Sequence, residues 1–231
     1  EPEGKWEVSV VIDQSLLTGL EQCLQTASRD AATQPAFVGV WLKRGSTLYS
    51  CDGDALSRVT LLPDLPVGDY MMPNAFCETM LRVGTIGGKL TLNDDWARAT
   101  LGDYVIYGRL IKNDNPLDHE ALIADTVKGE AVFISVPQGL DHALERAMVV
   151  ADPESKPTQL TVEGGKLHLL TDTNLGVVKD VLAFEHPDVV AMVSASLMQR
   201  SVSLTTEMAI MDNCTLFKNA NGLFQLLSNY G

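Results

Sequence analysis

The chain of 231 residues contains no run of about 18 apolar residues, so a helix that crosses a membrane is excluded. Positive charge is scarce: 17 Lys and Arg stand against 30 Asp and Glu, a formal net charge of −13. A protein that coats nucleic acid with its whole surface is thereby excluded, because counterion release needs clustered Lys and Arg. One that meets DNA on a single face is not, and the remaining acidity serves solubility. Cys23, Cys51, Cys77 and Cys214 show no CxxC spacing and sit among apolar neighbours. Four buried free thiols in a reducing cytoplasm are therefore expected, rather than two disulfides or a zinc site. No signal-peptide pattern and no low-complexity tract is evident.

Motifs that carry chemistry are equally sparse. His119, His142, His168 and His186 are scattered, without the HxxxH or HExxH spacing that puts two ligands on one helix face. Ser194 and Ser196 lack the GxSxG elbow of a nucleophile. Asp52-Gly53-Asp54 has the start of a calcium loop but not its remaining ligands, and reads as a turn between strands. Residues 84–89 are one residue short of a phosphate loop, with Leu90 where Ser or Thr must ligate magnesium, and read as a hairpin turn. No carboxylate pair stands out for acid–base work. No catalytic residue, no metal and no cofactor is expected.

What is present is an internal repeat. Residues 137–151 place Leu140, Ala143, Leu144, Ala147 and Ala151 at helical spacing behind Pro137, which suits a first helical turn. Asp152, Pro153 and Pro157 break the helix, and strands 159–162 and 166–170 follow across Gly164-Gly165. The N-terminal half has the same order: strand 7–13, helix 14–29 with Leu16, Leu17, Leu20, Leu24 and Ala27 on one face, then strands 37–42 and 47–50 across Arg44-Gly45. A further strand comes next in each half (56–62 and 176–184), then a Pro-led helix (73–82 and 187–200). Closing hairpins occupy 89–92, 97–101 and 104–110 in the first half and 202–210, 214–218 and 223–227 in the second, the last turning at Asn221-Gly222 as a two-residue hairpin. Surface loops are expected at 30–35 and 63–69, and a linker at 113–128 pinned by Ile123 and Val127. The expected fold class is α+β: two duplicated domains, residues 1–120 and 121–231, each with two helices packed on antiparallel sheets.

The residues also carry a family likeness. LYSCDGDALSRVTL, DYMMPNAFCETML, GKLTLNDDWARATLGDYVIYGRLI and NPLDHEALI, in that order, resemble the middle domain of the bacterial DNA polymerase III β sliding clamp. GLDHALERAMVVADPESKPTQLTVEGGKLHLLTDTN resembles the start of that clamp's C-terminal domain. The resemblance implies sliding-clamp domains joined edge to edge into a ring around double-stranded DNA, a processivity factor that tethers a replicative polymerase and has no chemistry of its own. Bacterial clamps close as dimers of three-domain chains. Two domains per chain imply a homotrimer instead, as in the two-domain clamps of phages, archaea and eukaryotes.

On that resemblance Arg29, Arg82, Arg146 and Arg200, each at or near the end of a predicted helix, are the candidate DNA-facing residues. Arginines there also complement the negative end of a helix. The family's pore helices carry several cations, whereas 14–29 has only Arg29 and 187–200 is almost wholly apolar or small. Loop cations Lys43, Arg44 and Lys218 are further contributors. Polymerase and clamp loader, as clients, insert short peptide motifs into a pocket. Its matching positions are Gly53, Asp54, Ala55, Leu56, Pro116, Leu122, Phe224, Leu226 and Leu227. Asp54 and Ala55 stand where the family has more basic or bulkier side chains. Two readings compete with the clamp: a clamp-fold scaffold for proteins that no longer encircles DNA, and an acidic two-domain hydrolase using Asp52 or Asp54.

Overall fold

A computed structural model describes residues 6, 8–30, 37–61, 68–113, 116–151 and 157–230. Glu7, Leu62, Asp152, Pro153 and the loop residues 31–35 and 63–67 lie outside the described residues. The chain divides into two compact units, Glu1–Leu117 and Asp118–Gly231.

Unit 1 opens with β1 (Val8–Ile12) and α1 (Gln14–Leu24), followed by β2 (Val40–Lys43), β3 (Thr47–Cys51), β4 (Ala55–Thr60) and β5 (Tyr70–Met72). After α2 (Asn74–Val83) it closes with β6 (Gly88–Leu92), β7 (Trp96–Leu101) and β8 (Tyr104–Arg109). The strands form two antiparallel sets, β1-β6-β7-β8 and β5-β2-β3-β4. Asp13 caps α1 by accepting the Leu16 N–H at 2.8 Å. The helix packs Leu16, Leu20 and Cys23 inward, and the adjacent α2 adds Phe76, Cys77 and Met80. Each fully buried large side chain contributes about 1.5–3 kcal/mol relative to exposure. Helix α1 ends well before residue 29, the end predicted from its apolar spacing. The physical reason is Thr26, whose Oγ1 is drawn into the core, 2.7 Å from both Ser50 Oγ and Ser57 Oγ. Ser50 Oγ in turn donates to the Cys23 carbonyl at 2.7 Å, so β3 helps satisfy the end of the helix.

Unit 2 begins with α3 (His119–Thr126) and β9 (Ile134–Ser135), then α4 (Leu140–Val150). It continues through β10 (Thr158–Glu163), β11 (Lys166–Thr173), β12 (Gly176–Ala183) and β13 (Val189–Val193). After α5 (Ala195–Val202) it ends with β14 (Glu207–Ile210), β15 (Cys214–Lys218) and β16 (Leu223–Ser228). Its strand sets are β9-β14-β15-β16 and β13-β10-β11-β12. Along β11 burial alternates strictly, with Leu167, Leu169, Thr171 and Thr173 turned inward.

The two units have one topology. In each, the first strand joins the last three in one sheet, the middle four form the second sheet in the same order, and two helices, α1 with α2 and α4 with α5, pack side by side. The correspondence is β1 with β9, β2 to β5 with β10 to β13, α1 with α4, α2 with α5, and β6 to β8 with β14 to β16. This is the α+β duplication read from the repeat, with corrections of detail. The stretch 187–200 is not one helix. The β-branched residues Val189, Val190 and Val193 extend it as β13 against β10, and Ser194 then caps α5 by accepting the Leu197 N–H at 3.4 Å. Helix α5 runs to Val202, so the strand expected from 202 starts only at Glu207. The linker contains α3, capped by Asp118 Oδ1 on the Ala121 N–H at 3.0 Å. Residues 84–89 are no hairpin: Gly84, at φ 61°, ends α2 and donates its N–H to the Met80 carbonyl at 2.9 Å. The unit 1 counterpart of Gly164-Gly165 is the β2–β3 turn. The β15–β16 connection spans residues 219–222 rather than two residues, because Asn219 Oδ1 accepts the N–H groups of Asn221 and Leu223.

Candidate functional site

The exposed faces of the two helix pairs carry little free positive charge. On α1 the exposed residues are Gln14 and Glu21, on α2 Ala75 and Arg82. On α4 they are Asp141, His142, Glu145, Arg146 and Val149, and on α5 Ser196 and Arg200. Arg82 and Arg200 occupy the last turns of counterpart helices, as their positions in the sequence suggested. The other two do not. Arg29 lies five residues past the end of α1, and Arg146 is the seventh of eleven residues in α4.

All four arginines are exposed, but their surroundings differ. Arg146 reaches across to β12, where its Nη2 and Nε donate to the two carboxylate oxygens of Asp180 at 2.6 and 3.2 Å. This forked pair raises the Arg146 pKa still further above the ordinary arginine value. Arg29 Nη2 lies 2.9 Å from Glu78 Oε1 of α2. Arg82 and Arg200 make no ion pair among the described residues. His142 Nδ1 lies 3.2 Å from Glu145 Oε2, and that contact, with Asp141 adjoining, raises the histidine pKa. The carboxylate partners were not singled out in the sequence, although a signal existed. Strand β12 alternates, and Asp180 is the lone acid on the less exposed side it shares with Val178 and Leu182.

Other cations are held locally. Lys43 lies 4.9 Å from the Trp41 ring, and Lys218 pairs with Glu207 at 3.1 Å and lies 4.1 Å from the Phe133 ring. Arg44 is exposed beside the β2–β3 turn.

Of the client-peptide positions in unit 1, Gly53, Asp54 and Pro116 are exposed while Ala55 and Leu56 are buried. Asp52 folds the turn by accepting the N–H groups of Asp54 and Ala55 at 3.0 and 2.7 Å, with Gly53 at φ 99°. That accounts for Asp52-Gly53-Asp54 as a turn. Pro116 borders a cavity of about 230 Å³ with Trp41, Tyr70 and Ile111. In unit 2, Leu122 and Phe224 are half-buried, and Leu226 and Leu227 are buried.

Among the described residues, no group of three or more His, Cys, Asp or Glu is placed to hold a metal. No helix among them is long and apolar enough to cross a membrane. His186 is fixed structurally: its ring stacks on Phe184 at 5.2 Å and its Nε2 accepts the Ile210 N–H at 3.2 Å. All four cysteines are free and buried. Burial pushes the thiol of Cys23 up to about 12 and those of Cys51 and Cys214 up to about 11.

No family model matches the sequence, and no curated protein sequence matches it. Solved structures do resemble this chain in fold. The DNA polymerase III subunit β of Pseudomonas aeruginosa superposes with a TM-score of 0.85 over 100% of this chain and 68% of its own, at 17% identity. The chain has the sliding-clamp fold. The β clamp of Helicobacter pylori, in a structure bound to a DNA ligase peptide, gives a TM-score of 0.83 at 11% identity over 100% of this chain and 68% of its own. The sliding clamp of Bartonella birtlesii, bound to griselimycin, gives 0.84 at 18% identity over the same shares. At these identities the shared property is the clamp fold: repeated units, each a helix pair backed by antiparallel strands.

Proposed function

We propose that this chain is a DNA sliding clamp, a non-enzymatic processivity factor that self-associates into a ring around duplex DNA and tethers a replicative polymerase. The observation that carries the reading is the clamp-fold superposition over the whole chain. A tether works without bond chemistry, because confinement converts repeated rebinding into one long stay at raised effective concentration.

Ring formation has a physical motive in each unit. Strand β8 is an edge of its sheet, and Tyr104 on it is 65% exposed. Strand β12 is an edge of its own sheet and exposes Val177 and Val181, while Val149 on α4 is 79% exposed. Uncovered edges beside apolar side chains are templates for pairing, and a head-to-tail contact that closes on itself removes them. Three copies would supply the six domains of a clamp ring. The DNA-facing candidates are Arg29, Arg82, Arg146 and Arg200. The client candidates are Gly53, Asp54, Ala55, Leu56, Pro116, Leu122, Phe224, Leu226 and Leu227. In these the exposed and half-buried members make peptide contact and the buried ones support them. Polymerase and loader motifs are the expected clients, following the peptide-bound Helicobacter pylori relative.

The test pairs light scattering at micromolar concentration with DNA synthesis by a cognate polymerase. A mass near three times 25.0 kDa and longer products on primed templates support the clamp. A mass of one chain with no effect on product length overturns it. The second reading, a clamp-fold protein scaffold that does not enclose DNA, is favoured by the few unpaired cations on the helix faces and the two ion-paired arginines. It predicts a ring that binds client peptides but leaves synthesis unchanged.

A further inference from the structure

We infer that Asp180 and Glu78 act as internal phosphate competitors, holding two of the four candidate DNA-facing arginines away from DNA and leaving Arg82 and Arg200 as the open contacts. The inference rests on the clamp reading and specifies how its DNA-facing surface works. A phosphate engages arginine through the same planar fork of N–H donors that a carboxylate uses. In Arg146 that fork is occupied: Nε and Nη2 each donate to a different oxygen of Asp180. The Asp180 side chain is only 18% exposed, so withdrawal of the arginine would leave a poorly hydrated carboxylate unpaired. DNA must offer more than water does to pull Arg146 free.

The Arg29–Glu78 pair works the same way in the other unit but more loosely. Its side chains are 73% and 34% exposed, so water can replace either partner. The result is graded: Arg146 firmly held, Arg29 loosely held, Arg82 and Arg200 open. Such a surface attracts a duplex without gripping it, as a ring that must slide requires, since each phosphate bound tightly is a contact to break at the next step. Asp180 and Glu78 are positioning residues in this scheme, acting through their arginines.

The experiment measures binding of the full chain to a fluorescent duplex by anisotropy between 50 and 200 mM salt. Asp180→Asn should bind more tightly than the parent at low salt. One added phosphate contact steepens the salt dependence by about 0.9 in log–log slope, so the advantage should shrink roughly 3.5-fold across that range. The gain should disappear in the Asp180→Asn/Arg146→Ala double variant. Glu78→Gln should give a smaller gain of the same kind, and as a change at a more exposed position it carries the test if Asp180→Asn does not fold by circular dichroism. If both single variants match the parent in affinity and slope while Arg82→Glu/Arg200→Glu weakens binding, the competitor role is wrong and the DNA reading stands. If Arg82→Glu/Arg200→Glu also leaves duplex binding unchanged, the DNA reading fails and the competitor role falls with it.

Discussion

Two glycines offer the same substitution with opposite expected outcomes. An added Cβ at Gly108 in β8 would sit 2.7 Å from Cδ2 and Cγ of Phe76 and 2.9 Å from its Cβ. Packed carbons sit about 3.5–4.0 Å apart, so the overlap is close to an ångström. Rotating the ring does not relieve it, because the Phe76 Cβ is one bond from the α2 backbone. The helix itself must move off β8. Overpacking of this kind costs about 1–3 kcal/mol, offset by the roughly 0.4–1 kcal/mol that a less flexible unfolded chain contributes. Gly108→Ala should therefore lose about 1–2 kcal/mol. Gly19→Ala in α1 also meets close atoms, Leu48 Cδ1 at 2.9 Å and Leu61 Cδ2 at 3.0 Å, but these are the free ends of flexible side chains. Inside a helix, alanine also gains about 1 kcal/mol over glycine, so this variant should stay within about 0.5 kcal/mol of the parent. Urea denaturation followed by circular dichroism, compared at equal slope, reads both. Phe76→Leu in the Gly108→Ala background should recover part of the loss, since the smaller side chain vacates the contested space. Equal stability of the two alanine variants, or no recovery, would refute the reasoning that Phe76 packs α2 closely on β8 at Gly108.

Three further outcomes follow from the geometry. Thr26→Val removes the hydroxyl shared by Ser50 and Ser57 in the core and should cost about 1–3 kcal/mol in the same denaturation, whereas Thr18→Val on the outer side of α1 should cost little. At pH 8 a thiol with a pKa of about 11 is ionised only on the order of one part in a thousand, so iodoacetamide should label Cys51 and Cys214 only after unfolding. Above the ordinary thiol value of 9.0, stability should fall with rising pH, because the unfolded chain releases thiol protons that the folded chain retains. Val149→Asp and Val181→Lys, at positions already exposed in the single chain, should leave circular dichroism unchanged and lower the mass in light scattering. An undiminished mass counts against self-association through this side of unit 2.

Much of the fold was legible in sequence because its elements obey local periodicities. The i, i+4 row of Leu16, Leu20 and Leu24 gives α1, and the alternation from Leu167 to Thr173 gives β11. The repeat of these patterns gives the duplication. Errors came where tertiary contacts outweighed local preference. Residues 14–29 are helical by apolar spacing, yet Thr26 leaves the helix to bond with Ser50 and Ser57, 24 and 31 residues away in the chain. Residues 187–200 have the proline lead and small residues of a helix, but Val189–Val193 completes a sheet by pairing with β10. The candidate site was legible only in part. Arg82 and Arg200 show their last-turn positions in the sequence, whereas nothing in the spacing of Arg146 and Asp180, 34 residues apart, brings them together.

By itself, the sequence determined the class of elements, their order and their doubling, because hydrophobic periodicity and turn chemistry act over a few residues. The tertiary structure alone decided which side chains are withheld and which are offered: Leu56 and Leu226 buried, Val149 and Tyr104 presented, Arg146 engaged and Arg82 open. Those outcomes depend on distances across packed helices and strands, and a linear order of residues does not encode such distances until the chain has closed on itself.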